Sequence, residues 1–407
     1  MNFTADQAKA WELLKGDENV FITGEAGSGK SYLVRHFIEN FGGRNFPVLA
    51  STGAAAVLVE GRTFHSFMGL GIMEGGVEAT VARALKDKRL IARLKKSIGI
   101  VIDEISMLSG PTLNAAYKIC QLAKESSAPW GGLRVIAVGD FAQLPPINRN
   151  QNIREWAFLD PIWELSNFQS IVLKQNMRSG DRTFLSVLND IRAGVVNERV
   201  QKFLDSKISD GEFQGTHLFP LRGQAEKFNQ VELAKIDGEI HSFKTIYAGN
   251  SKSIEQLKKH SPLPEELFLK IGALVMLKQN DPNLRWVNGS TGYVTKISKT
   301  KIDVKLLTGR EIEVEPVSFS LLNAEGIAMA AVTNFPLSLA YAATIHKAQG
   351  MTLDGLKVNL KSLWEPGQAY VALSRVTDPN QLYIESWQPQ SIKADPMVER
   401  FYSSLSS

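Results

Sequence analysis

The chain has 407 residues, 44% of them hydrophobic and 22% charged, a balance that excludes a disordered protein and a length that exceeds one ordinary core. Its 46 basic and 42 acidic residues leave a formal charge of +4, so a polyanionic partner has to be met by a local basic patch and not by the total. One cysteine excludes an intramolecular disulfide framework and fits a reducing compartment; with no apolar run long enough to span a bilayer and no charged-then-apolar leader, a cytoplasmic location is expected.

From the N-terminus, Thr4 followed by Ala10, Leu13 and Leu14 predicts a short capped, amphipathic helix. Gln7 within it reads either as a solvated helix residue or as an amide that pairs with an adenine edge, since it both donates and accepts. Next, Val20-Phe21-Ile22 runs into Gly24-Glu25-Ala26-Gly27-Ser28-Gly29-Lys30-Ser31, and Tyr32 to Phe37 follows as a helix. Strand, glycine loop and helix in this order make G-x-x-x-x-G-K-S a phosphate cradle, because backbone N–H groups and a helix N-terminus then face one anion. Gly24, Ala26, Gly27, Ser28, Gly29, Lys30, Ser31 and Tyr32 are therefore the candidate nucleotide-binding residues. Lys30 is expected to reach the β- and γ-phosphates, and the Ser31 hydroxyl to ligate Mg²⁺.

A strand from Phe46 ends in small polar residues, among them Thr52 and Gly53, which allow close backbone approach. Thr63-Phe64-His65-Ser66-Phe67 has two readings. It is either a group that stacks bases and bonds phosphates, or core packing of Phe64 and Phe67 with a capping Ser66. Between 69 and 97, a glycine-rich entry leads to Arg83, Lys86, Lys88, Arg89, Arg93, Lys95 and Lys96, opposed by Asp87 alone. This run reads as a solvated helix face or as a small projecting subdomain that touches nucleic acid. Cys120 is expected to be buried on the helix after Leu113. Ile98 to Ser106 predicts a fully buried parallel strand closed by Asp103 and Glu104. Beside a phosphate loop, Asp103 is expected to hold Mg²⁺ through water, and Glu104 to orient and deprotonate the water that attacks the γ-phosphate.

A second buried strand, Leu133 to Val138, leads into Gly139-Asp140-Phe141-Ala142-Gln143-Leu144-Pro145-Pro146. Together with Gln175-Asn176-Met177-Arg178, His346-Lys347-Ala348-Gln349-Gly350-Met351-Thr352 and Tyr370-Val371-Ala372-Leu373-Ser374-Arg375, this set resembles superfamily-one helicases. It is most similar to the petite integration frequency family, DNA helicases that move 5′ to 3′, with RecD-like helicases as relatives. The resemblance runs from Gln7 to about Ile384. It implies ATP and Mg²⁺ as cofactors and single-stranded DNA and single–double-strand junctions as partners. It assigns Gln143 as a γ-phosphate sensor, Arg178 and Arg375 as arginines aimed at the γ-phosphate, and Gly350 as a nucleotide neighbour. It places DNA contacts at Thr52, Gly53, Phe64, His65 and Ser66 on one side and at Thr344, His346 and Lys347 on the other. Arg222 stands where the family commonly has Asn, a departure that leaves the contact at that position open.

The fold expected is α/β: two RecA-like P-loop domains, each a parallel sheet flanked by helices. Residues 1–165 would form the first, with a basic insertion at 69–97; residues 166–250 and 320–407 would form the second. Residues 251–319 would be an inserted domain, and its alternating short strands at 267–319 suggest an SH3-like barrel. The chain is expected to work as a monomeric motor of bacterial or phage type, among the nucleoid. Two other readings stay open: an RNA translocase of the same superfamily, and a nucleotide-switched DNA-binding ATPase that does not unwind.

Overall fold

The computed structural model of the protein describes residues 3–42, 46–51, 62–71, 73, 75–146, 154–177, 179–209, 211, 213, 215–261, 263–281, 285–323 and 327–405. The first lobe is built on β1 (Val20–Gly24), β2 (Val48–Ala50), β3 (Arg62–Thr63), β4 (Gly99–Asp103), β5 (Arg134–Val138) and β6 (Gln169–Leu173). Among the described residues these strands lie in the order β3-β2-β4-β5-β1-β6, and every pairing is parallel. A parallel sheet with both faces covered needs continuous apolar strands, and β1 is buried at all five positions. Because β4, β5 and β1 are neighbours running the same way, the segments after Gly24, Asp103 and Val138 emerge side by side at one edge.

The basic segment does not project. Helices Gly76–Ala84 and Lys88–Lys96 bury Val81, Ala84, Leu90 and Leu94 in one core with Leu113, Tyr117 and Cys120 of the helix Gly110–Lys124. The leucines recur at helical spacing, so hydrophobic burial and not charge sets this packing. The Cys120 thiol, fully buried, is pushed up to about 12 and is an inert packing group.

A second parallel sheet starts at β7 (Thr216–Phe219), followed by the helix Arg222–Ala234. The chain then leaves it for β8 (His241–Lys244), β9 (Ile246–Gly249), β10 (Glu266–Leu269), β11 (Leu274–Leu277), β12 (Thr291–Ile297), β13 (Ile302–Leu306), β14 (Glu311–Val314), β15 (Val317–Leu322), β16 (Ala328–Asn334) and β17 (Leu337–Leu339). It returns with β18 (Ala342–Thr344), β19 (Leu356–Asn359) and β20 (Leu382–Ser386), in the order β18-β7-β19-β20. The inserted strands pair as β14-β13-β12-β11-β17, β15-β16-β9 and β10-β8, all antiparallel.

Three segments sit elsewhere than the expected bounds put them. Strand β6 (Gln169–Leu173), expected in the second domain from residue 166, completes the first lobe's sheet beside β1. Strand pairing carries the inserted β region from His241 to Leu339, beyond 251–319, since β16 pairs with β9 and β17 with β11. The last helix, Pro396–Leu405, leaves the second lobe and packs Val398 and Phe401 into the first lobe's core. There the Phe401 ring stacks on Phe158 at 4.4 Å and meets Phe141 edge-on at 5.5 Å. No helix among the described residues is long and apolar enough to cross a membrane.

Candidate nucleotide and nucleic-acid sites

The loop after β1 holds its shape through positions that admit only glycine. A Cβ on Gly24 would lie 2.4 Å from the Leu173 carbonyl oxygen, and one on Gly29, at φ +90°, 2.4 Å from Gln7 Nε2. Gly29 caps the helix Lys30–Phe37 with no side chain of its own, so the first N–H groups of that helix open toward the loop. Lys30 Nζ donates to the carbonyls of Gly24 (2.7 Å) and Glu25 (2.9 Å), and the buried Ser28 hydroxyl has no partner among the described residues. Gln7 completes a capping box with Thr4 and donates to the Ser28 carbonyl at 3.2 Å. Its amide therefore braces the loop with one N–H while its oxygen accepts the Thr4 N–H of the helix cap, leaving a second N–H and a lone pair for a base edge. The sequence signal for this brace is Thr4-x-x-Gln7, a capping-box spacing that fixes the amide at the start of the helix.

Asp103 ends β4 and accepts the Glu104 N–H at 3.0 Å, and burial raises its carboxyl. Glu104 adopts a left-handed backbone, φ 52° and ψ 49°, a conformation costing about 1 kcal/mol or more outside glycine. That turn separates the two acids and aims them differently. Burial first, then the Asp103 charge, push the Glu104 carboxyl up to about 7, against the pull of Lys30 and Arg375. A carboxylate poised near neutrality is suited to take a proton from water.

Both lobes line one cleft of about 350 Å³. Ala26, Gly27, Gly29, Lys30, Ser31, Tyr32, Glu104 and Gln143 face it from the first lobe, and Gly350 and Arg375 from the second. The second lobe comes this close because Gly367, at φ +79°, has no Cβ; one would lie 2.4 Å from the Gln143 carbonyl oxygen. Arg375 is fully buried and donates to the carbonyls of Val371 (2.7 Å), Ala348 (3.3 Å) and Met351 (3.3 Å) and to Ser374 Oγ (2.7 Å). Its guanidinium is thereby held at the cleft wall by the two segments that carry the second lobe's motifs.

Other contacts to the glycine loop, one of them from the second lobe, carried no expectation. Tyr370 Oη accepts the Ala26 N–H at 2.8 Å, Asn176 Nδ2 donates to the Ala26 carbonyl at 2.7 Å, and the Met177 N–H to Gly27 at 2.9 Å. Behind them Asp140, fully buried, pairs with Arg192 at 2.8 Å and accepts from Tyr402 Oη at 2.9 Å; that oxygen is also 2.8 Å from Thr23 Oγ1. Burial would raise the Asp140 carboxyl, but Arg192 overrides it and holds the group below its ordinary value. Asp140 stood inside a recognised motif, whereas Arg192 and Tyr402 lie on helices with no motif to mark them.

The comparisons with known proteins point the same way as this cleft. The family model described as PIF1-like helicase matches residues 2–202. The ATP-dependent DNA helicase Pif1 of Bdellovibrio bacteriovorus is 53% identical over 404 residues, covering 99% of this chain and 92% of that one. The chain belongs to the PIF1-like helicase family. Its structure is similar to that of Pif1 from a Bacteroides species in complex with ADP-AlF4, with a TM-score of 0.85, 28% identity and coverage of 99% and 98%. The Bacteroides Pif1 complex with ADP-AlF3 and single-stranded DNA gives 0.69 at 28% identity, with coverage of 100% and 98%. The fold is α/β with two RecA-like parallel-sheet lobes, as in these PIF1-like helicases.

Of the residues through which the PIF1-like family resemblance implied DNA contact, His65 and Ser66 are partly exposed on the short helix Phe64–Phe67. Burial lowers the His65 imidazole, so at neutral pH it offers hydrogen bonds and not a charge. Phe64 is corrected: its ring is fully buried in the first lobe's core and cannot stack on a base. On the second lobe Thr344 is buried and caps the helix Ile345–Ala348 by accepting the Lys347 N–H, while His346 and Lys347 are exposed. Thr52, Gly53 and Arg178 lie outside the described residues.

Proposed function

We propose that this chain is an ATP-dependent DNA helicase that tracks 5′ to 3′ along single-stranded DNA and separates duplexes at junctions, acting as a monomer. The observation that carries this reading is the shared cleft, where Lys30, Glu104 and Gln143 of one lobe face Gly350 and Arg375 of the other. A nucleotide bound there touches both lobes, so its binding and hydrolysis change the distance between two grips on one strand.

The residues divide the chemistry. Loop N–H groups and Lys30 neutralise the β- and γ-phosphates, Glu104 takes the proton of the attacking water, and Arg375 meets the charge that spreads over the transferring phosphoryl group. Ser31 and Asp103 suit Mg²⁺, which takes one or two protein oxygens and completes its shell with phosphate and water; when bound, it supplies charge neutralisation. Among the described residues no cluster of three or more His, Cys, Asp or Glu forms a separate metal cage, which fits a metal held together with the nucleotide. The working compartment on this reading is the cytoplasm, with the nucleoid.

Polarity is tested with partial duplexes. Strand separation driven by ATP is expected with a 5′ single-stranded tail, and unwinding of 3′-tailed substrates alone would overturn the direction. Association as a monomer is read from sedimentation of the chain on a short oligonucleotide, where two chains on one binding site would contradict it.

The basic helices give a third check. Lys86, Lys88 and Arg89 are exposed and, among the described residues, pair with no carboxylate, whereas Arg93 donates to the Phe67 carbonyl (2.7 Å) and lies over the Phe67 ring at 5.2 Å. Arg93 is thus a structural brace and stays out of the test. Replacing Lys86, Lys88 and Arg89 with Ala should flatten the dependence of single-strand affinity on salt by about 0.7 log–log for each phosphate that these side chains neutralise. An unchanged slope would leave these side chains as a solvated face.

A further inference from the structure

The turn that carries Gln143 to the cleft is shaped by one carboxylate. It follows β5, and Asp140 within it accepts the Ala142 N–H on Oδ1 and the Gln143 N–H on its carbonyl, each at 3.1 Å. The Tyr402 hydroxyl donates to the same Oδ1 at 2.9 Å and accepts the Phe141 N–H at 2.9 Å. The N–H groups of Phe141, Ala142 and Gln143 are thus fixed by Asp140 and by the hydroxyl bonded to it. Where Gln143 points therefore depends on how Asp140 is held.

The cation that holds it comes from the other lobe. Arg192 ends the helix Arg182–Arg192, whose Phe184, Val187, Leu188 and Ile191 are buried in the second lobe's core. Its guanidinium reaches Asp140 with Nη2 2.8 Å from Oδ1 and Nε 3.4 Å from Oδ2, and it lies over the Tyr402 ring at 4.4 Å. A fork closed on a carboxylate fixes orientation as well as distance, which a point charge does not. Beside the pair the lobes are not packed shut: a cavity of about 340 Å³ is lined by Phe141, Gln143, Arg192, Gly367 and Tyr402 among others. A staple that only joined the lobes would be served as well by apolar side chains filling that space, since a buried ion pair gains little over them. An ion pair adds direction, and this one is placed on the residue that directs the turn.

We propose that Arg192 is a positioning residue for the hydrolytic step: through Asp140 it ties the turn bearing Gln143 to the second lobe, so that the amide is aligned on the γ-phosphate only while that lobe is seated. The inference deepens the helicase reading and rests on its assignment of Gln143 to the γ-phosphate. Arg192 itself touches no reacting atom. It acts in series with Gln143, and the Tyr402 ring keeps its guanidinium facing the carboxylate.

The test is Asp140→Asn together with Arg192→Met in the full chain. The two changes remove both charges at once, keep most of the volume and leave an oxygen for the Ala142 N–H, so the melting temperature should stay near that of the unaltered chain. ATP turnover should nevertheless fall by about 10- to 10²-fold, the scale of a lost alignment, while affinity for a nonhydrolysable ATP analogue changes by less than about three-fold. Gln143→Ala should lower turnover too, and adding it to the paired variant should lower turnover no further, because residues that act as a unit are not additive. Arg192→Lys, which keeps the charge without the fork, should recover part of the rate. Near-normal turnover by the folded paired variant, or losses that multiply when Gln143→Ala is added, would overturn the proposal and leave Arg192 as a lobe staple. If the paired variant does not fold, Arg192→Lys with and without Gln143→Ala reads the same coupling, and no loss or multiplying losses would again overturn it. Unaltered turnover by Gln143→Ala alone would instead remove Gln143 from the γ-phosphate, and the proposal with it, before Arg192 is considered.

Discussion

Replacing Glu104 with Gln should lower ATP turnover by about 10²- to 10⁴-fold while nucleotide affinity stays near that of the unaltered chain. The amide keeps the shape of the side chain and its place at the cleft wall but cannot accept the proton of the attacking water. The pH dependence follows from the raised carboxyl. Burial and Asp103 push Glu104 up to about 7, so the base is progressively ionised as pH rises through that region, and turnover should climb with it. The residual rate of Glu104→Gln should be flat over the same range. Stability should move in the opposite sense. A carboxyl whose value is raised on folding contributes stability below its unfolded value and loses it as pH rises through the folded one, so Glu104→Gln should melt higher than the unaltered chain at pH 8. Steady-state kinetics from pH 6 to 9 and thermal melts check both; near-normal turnover by the Gln variant would remove Glu104 from the base role.

Arg375→Ala should cut turnover by about 10³-fold or more, the range observed for arginines that meet the transferring phosphoryl group. The structure adds a second consequence. Since the guanidinium donates to Val371, Ala348 and Met351 carbonyls inside the second lobe, the truncation leaves buried acceptors unmet, at about 1–3 kcal/mol for each that water cannot reach. The melting temperature should therefore fall along with the rate. Arg375→Lys separates the two effects: it keeps a charge but not the planar fork, so it should recover part of the stability while turnover stays low. Losses of equal size in nucleotide affinity and in rate would show uniform binding and rule out a role confined to the transition state.

Much of the cleft was legible locally. An apolar run, a glycine loop and Lys30-Ser31 name a strand, a turn with left-handed positions and a helix N-terminus, all within a dozen residues. Asp103-Glu104 at the end of β4 was legible for the same reason, because a buried parallel strand announces itself by unbroken hydrophobicity. The second lobe's contributions, Gly350 and Arg375, were reached by likeness of motifs and not by local pattern. Nothing in their own neighbourhood says that they meet a loop more than 300 residues away. Gln7 shows the limit from the other side: its helix was anticipated, and its brace on the Ser28 carbonyl was not.

What the sequence by itself determined is the set of local conformations and the faces that must be buried, since backbone preference and hydrophobic period act over a few residues. What only the tertiary structure decided is which face meets which. It buried Phe64 in the core, turned Arg93 into a brace for the Phe67 carbonyl, and drew Tyr402 back to Asp140. It also set Arg192 of the second lobe on that same carboxylate. Apolar surface attracts any apolar surface of suitable shape, and a charge takes its partner, or lacks one, only after that packing has chosen its neighbours.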